Sequence, residues 1–197
     1  MSALQALLTA ASPDIGAISQ TLNSQSAGAR KAAVLSLSRR SLGVLFEAAQ
    51  GFRSIDLDYL VPPSVGLMTP VDHEGLNNLP AFRRFAKPML RPTADSTDLW
   101  GYNRNPRSVE RAVGPGYFVG YVDQPGEVLI DYTRLPTGRA DGWPAIVSNS
   151  KRLSRFVYNN MKDVLRGVSD HVTIGRAIKN GKVQDNWFVL CRIDQAE

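Results

Sequence analysis

The chain has 197 residues, 43% of them apolar, which is enough to fill the core of one substantial domain and excludes both a disordered segment and a disulfide-stapled miniprotein. A single cysteine, Cys191, rules out an intramolecular disulfide and leaves no second thiol to share a metal. The net charge of +5 would suit an anionic partner, but the basic residues are dispersed among acids with no run of five, so a solvated surface is expected and nucleic acid is not favoured as a partner. No stretch of about 18 apolar residues occurs, so no membrane span is expected. The first twenty residues lack a basic n-region, so a secretion signal is not read and the cytoplasm is the expected compartment.

Residues 1–60 read as a helical region. Ala3 to Ala11 is a short apolar helix, and Ser12-Pro13-Asp14 supplies the chemistry of a second start, with Ile15, Ile18 and Leu22 on one face. A longer helix is predicted from Ala27 to Gln50, with Val34, Leu37, Leu42, Leu45 and Ala49 near one stripe and Gly51 beyond its end. Residues 61–115 form an irregular, proline-rich connection in which Leu79 to Leu90, carrying Phe82, Phe85 and Met89, is predicted as a brief helix.

From 116 to 197 the pattern is that of an antiparallel α+β core. Tyr117–Val122 and Glu127–Arg134 flank an Asp-Gln-Pro-Gly turn, and Val172–Ile178 and Trp187–Ile193 flank Asn180-Gly181, so two hairpins are predicted. Between them a helix is expected from about Ser150 to Arg166, with Leu153, Phe156, Val157, Met161, Val164 and Leu165 as its buried stripe. The three stretches are read as one compact α+β domain: N-terminal helices packed on a curved antiparallel sheet or partial barrel, with one long helix in the C-terminal half.

Chemistry is sparse. His73 and His171 are far apart and fit no metal-ligand spacing, so no metal is expected. No nucleophile elbow, phosphate-binding loop or dinucleotide fingerprint occurs; Gly114-Pro115-Gly116 precedes a strand and reads as a turn, and no cofactor is expected. Cys191 lies on an alternating strand with no basic cluster to activate it, as a small core residue would. His171 with Asp163 or Asp170 could serve as an acid/base pair on a carbonyl or ring substrate, and this keeps an enzyme open as the alternative to a binding protein. What remains is a density of amphipathic aromatics with arginines among them, the composition of a concave site for a small molecule with a polar end. The candidate ligand-binding residues are Tyr102, Tyr117, Tyr132, Arg134, Trp143, His171 and Trp187, with Tyr117, Tyr132 and Trp187 expected to face one cavity and Arg134 to meet an anionic group at its rim.

The segments Phe156 to Ile178 and Asn186 to Ile193 resemble the closing part of small lipocalin-like ligand-binding domains of the GXWXG type. Asp163, Arg166, Val168, Gly175, Leu190 and Arg192 carry the likeness, which covers about a fifth of the chain. The GXWXG motif itself is absent, with Gly116-Tyr117-Phe118-Val119-Gly120 a distant substitute. The resemblance implies an antiparallel barrel or cup that holds a hydrophobic molecule, and no catalysis. Binding of a small hydrophobic or amphipathic molecule without catalysis is therefore the leading expectation. A module that binds a protein partner or a second copy of itself through the N-terminal helices is a third possibility.

Overall fold

The computed structural model describes residues 3–80, 83–151 and 153–193. Four helices come first: α1 (Ala3–Thr9), α2 (Ile15–Asn23), α3 (Ala27–Val34) and α4 (Arg39–Ala48). Asp14, rather than Ser12, caps α2 by accepting from the Ala17 amide at 3.0 Å. The long helix expected over 27–50 is two helices. Ser36 and Ser38 fall where their hydroxyls compete for backbone groups: Ser36 Oγ donates to the Ala33 carbonyl, and Ser38 caps α4 through the Ser41 amide at 3.1 Å. The stripe holds across the break, for Val34, Leu37, Leu42, Leu45 and Ala49 are all buried in one cluster.

After the single-turn α5 (Leu57–Leu60) the chain enters one sheet of nine antiparallel strands. These are β1 (His73–Asn77), β2 (Arg84–Ala86), β3 (Met89–Leu90), β4 (Leu99–Tyr102), β5 (Tyr117–Gln124), β6 (Glu127–Asp131), β7 (Met161–Gly167), β8 (Val172–Lys179) and β9 (Lys182–Arg192). Helix α6 (Arg107–Val113) precedes β5 and α7 (Ser154–Val157) precedes β7. The order is β2-β1-β9-β8-β7-β6-β5-β4-β3. Its two ends, β2 and β3, are consecutive pieces of one segment interrupted at Lys87-Pro88, where proline has no amide for the ladder. The same segment also pairs across the seam: Ala86 exchanges backbone hydrogen bonds of 2.9 and 2.8 Å with Arg104, and Met89 exchanges 3.0 and 2.7 Å bonds with Val71. The sheet therefore curls until its edges meet along 84–90.

Both expected hairpins are present and antiparallel, β5 with β6 and β8 with β9. At the second, Asn180 and Gly181 have φ of 51° and 73°, the doubly positive geometry of a type I′ turn. The helix expected over 150–166 is replaced by the short α7 and the strand β7. Met161 and Leu165, four apart, suit either period, but Asn160 takes φ of 53°, which ends a helix, and beyond it burial alternates, with Asp163, Leu165 and Gly167 inside. The predicted stripe falls apart accordingly: Leu153 is 50% and Phe156 62% exposed. Phe156→Ala should change stability by no more than about 0.5 kcal/mol in urea unfolding, as for an exposed side chain, where a helix buried on the sheet would have lost about 3–5 kcal/mol. Within the helix expected over 79–90, Arg84–Ala86 and Met89–Leu90 are the strands β2 and β3; Phe82 lies outside the described residues.

Each face of the sheet has its own filling. Helices α1–α4 cover the convex side of β8 and β9, packing on Val172, Ile174, Val189 and Cys191. Inside the curl, Phe118, Ile130, Tyr132, Leu165, Phe188 and Leu190 form a second core with α5. Two glycines open space for its rings: a Cβ on Gly175 would sit 2.3 Å from the Phe188 ring and one on Gly101 2.4 Å from the Phe118 ring. A third cluster, Leu90, Tyr102, Tyr117, Ala140 and Trp143, lies apart from both.

Candidate functional site

One end of the curl holds a cavity of about 570 Å³. Exposure gives its polarity: Leu79 and Phe156 among its lining are 39% and 62% exposed, so they mark the mouth, whereas Lys87, Tyr132 and Asp163 are each at most 2% exposed and mark the floor. Between them the wall is largely apolar, with Phe85, Val109, Val113, Met161, Ala177 and Phe188. Helix α6, following the seam-pairing Arg104, lays Val109, Ala112 and Val113 along one side.

The floor is a polar cluster assembled from four places in the fold. Lys87 comes from the seam, Asn103 from just after β4, Tyr132 from just after β6 and Asp163 from β7. The Lys87 ammonium donates to Asn103 Oδ1 at 2.8 Å and to the Tyr132 hydroxyl, and pairs with Asp163 Oδ2 at 3.2 Å. Tyr132 Oη lies 3.2 Å from the same carboxylate oxygen, and the Asn103 amide donates to Tyr132 Oη at 2.9 Å and to the Gly116 carbonyl at 3.3 Å. Four rings surround Lys87 Nζ, with centroids of Phe188, Tyr132, Phe118 and Phe85 at 4.9, 5.0, 5.2 and 5.5 Å. Tyr158 stacks on Tyr132 at 5.2 Å, and its hydroxyl accepts from Asn105 at 3.2 Å.

Burial dominates the protonation of this cluster. It lowers the Lys87 pKa against the opposing pull of Asp163, and it raises the Asp163 pKa against Lys87 and the Tyr132 hydrogen bond. Both displacements move a proton in the same direction, from the amine toward the carboxylate. The Tyr132 phenol is pushed well above its ordinary value by burial and by the Asp163 charge, and burial pushes the Tyr158 phenol up to about 12. Both phenols therefore keep their protons at neutral pH and can donate them to a ligand.

Of the residues singled out from sequence, Tyr132 lines this cavity with its side chain; Trp187 borders it, but its ring turns to the other face of the sheet, under Arg176 at 5.0 Å and against Gly43 of α4. Tyr117 does not share it: the register of β5 puts Phe118 against Tyr132, ring centroids 5.5 Å apart, and sends Tyr117 with Tyr102 and Trp143 into the third cluster, where its hydroxyl donates to the Pro144 carbonyl at 2.6 Å. Arg134 is paired with Asp98 at 2.7 Å and lies over the Tyr121 ring, apart from the cavity lining. His171 sits in the turn between β7 and β8, its Nδ1 3.2 Å from Arg192 Nη2. Asp163 pairs with Ala177 four ladder positions beyond the Gly167–Thr173 pair, about 13 Å along the strand, so His171 and Asp163 are not brought together. Asp170 is ion-paired with Arg53 at 2.6 Å. Among the described residues no group of three or more His, Cys, Asp or Glu side chains could hold a metal, and no helix is long and apolar enough to cross a membrane.

The sequence singles out neither Lys87 nor Asn103, and Asp163 only as a partner for His171 and as part of the lipocalin-like segment. A signal for the first exists: a lysine inside Phe-Ala-Lys-Pro-Met-Leu interrupts an otherwise apolar run and has no neighbouring acid to pair with. Comparison with protein-family models, curated proteins and solved structures finds no match to this chain.

Proposed function

We propose that the protein binds a small amphipathic molecule, with the apolar body inside the curl of the sheet and a neutral oxygen head group, a carbonyl or hydroxyl, at the floor. The observation that carries this reading is the cavity itself: about 570 Å³, within the range of small-ligand sites, with apolar walls converging on four polar side chains. Burying a lysine and an aspartate costs several kcal/mol per ion before pairing, and an apolar floor would have been at least as stable. A ligand that uses those groups accounts for their presence. The charge of the floor selects the head group. Lys87 and Asp163 cancel, Tyr132 and Asn103 are neutral, and a carboxylate entering here would meet Asp163 in a site where charge is poorly screened. An alcohol or carbonyl oxygen meets donors from Lys87 and Tyr132 without that repulsion. The resemblance of the C-terminal segment to lipocalin-like domains points the same way.

Calorimetric titration with 1-decanol should give a saturable heat of binding, and decanoate at pH 8 should bind at least roughly tenfold more weakly, the ratio expected for a modest charge repulsion in a poorly solvated site. Ala177→Trp, which fills the cavity from β8, should abolish the response. Equal affinity for decanol and decanoate would refute the charge argument, and unchanged decanol binding in Ala177→Trp would place the ligand elsewhere.

A further inference from the structure

We propose that Lys87 is a covalent attachment point, its amine condensing with the carbonyl of an apolar aldehyde or ketone to form an imine held in the cavity against the Asp163 carboxylate. This deepens the binding reading above and rests on it, narrowing the head group from any neutral oxygen to a carbonyl.

The groups that the condensation needs are already in contact. Asp163 Oδ2, 3.2 Å from Nζ, takes a proton from the ammonium and frees the nitrogen lone pair. Nζ then adds to the carbonyl carbon as the carbonyl π pair moves to oxygen, which is protonated from the Asp163–Tyr132 pair. The carbinolamine loses its oxygen as water once a second nitrogen proton has followed the same path, and the C=N bond forms. Two of the three ammonium protons leave in the water molecule, the third stays on the iminium, and its single positive charge faces the carboxylate that faced the ammonium. Nothing is oxidised or reduced, and the net charge of the floor is the same before and after.

Three observations favour this over hydrogen bonding alone. The amine lies at the bottom of the cavity with its side chain 2% exposed, so the ligand and not bulk solvent meets it. Burial shifts the proton from Lys87 toward Asp163, which raises the share of free amine over that of a surface lysine. The aromatic box of Phe85, Phe118, Tyr132 and Phe188 keeps a positive charge on nitrogen favourable while restricting the water that would hydrolyse an imine.

The test uses the full chain with decanal and sodium cyanoborohydride, read by intact mass and peptide mapping. One decyl group should appear on Lys87, roughly tenfold or more ahead of any other lysine, because proximity and a freer amine act together. Excess 1-decanol should slow it, and Lys87→Met should remove it. Should that variant fail to fold, mapping and decanol competition on the unaltered protein still decide the question. Saturable decanol binding with decanal trapped only on other lysines, or on none, would overturn the imine and leave the pocket standing. Absence of response to both probes would overturn the two together.

Discussion

Asp163→Ala should lower the unfolding free energy by about 3–5 kcal/mol, because it leaves the Lys87 amine buried among four rings without its counter-charge. The pair is not expected to contribute that much to the native fold. Placing two ions at the floor is itself unfavourable, and their attraction with the Asn103 and Tyr132 hydrogen bonds only offsets it. The double variant Lys87→Met with Asp163→Leu should therefore return to within about 1 kcal/mol of the parent, or exceed it, while losing the decanal reaction. Urea midpoints and slopes for the two single variants and the double variant close a thermodynamic cycle. Additive losses would mean that the two side chains act on stability independently, and the floor could not then be treated as one coupled unit.

Residue patterns of short range carried most of the fold. Helix stripes in 3–50, the Asn-Gly turn and the two hairpins each depend on neighbours a few positions apart, and they are found where local chemistry puts them. The failures share a cause. In 150–166 the spacing of Met161 and Leu165 fits a period of 3.6 and a period of 2 alike, and the deciding residue, Asn160 in the left-handed region, has no apolar signal. In 79–90 the periodicity of Phe85 and Met89 likewise admits a helix, and what makes the segment a strand is pairing with β1 on one side and β4 on the other, long-range contacts that no window of the sequence contains. The site was half legible for the same reason. Tyr132 and Trp187 stand out as amphipathic aromatics near strands, but which face Tyr117 takes depends on strand register, and one step of register exchanges it for Phe118. The Lys87–Asp163 pairing spans 76 residues and exists because the sheet closes on itself.

Acid should weaken this closure through His73, with a loss of roughly 3 kcal/mol between pH 7 and pH 4. His73 is buried at the start of β1, and its Nδ1 lies 3.2 Å from the Val71 carbonyl and 3.1 Å from that of Lys87. Both neighbours are acceptors, so Nδ1 carries the proton and Nε2 is the bare nitrogen, buried without a hydrogen-bond partner. Protonating Nε2 would bury a cation with nothing to receive its N–H, near Arg192. Burial first and that guanidinium second hold the imidazole down at about 4 against an ordinary value of 6.5. A histidine with a depressed folded pKa stays neutral in the native state while the unfolded chain takes up a proton below about pH 6.5; stability thus falls as pH drops from there to about 4 and levels beneath it. The chain has two histidines, so the imidazole resonances give a direct check. His73 should hold its neutral shift down to about pH 5, and the excess acid sensitivity of the parent over His73→Gln in urea unfolding should match the loss. A His73 resonance titrating near 6.5 would mean that the seam beneath Lys87 is open to water, and the dry floor on which imine formation depends would go with it.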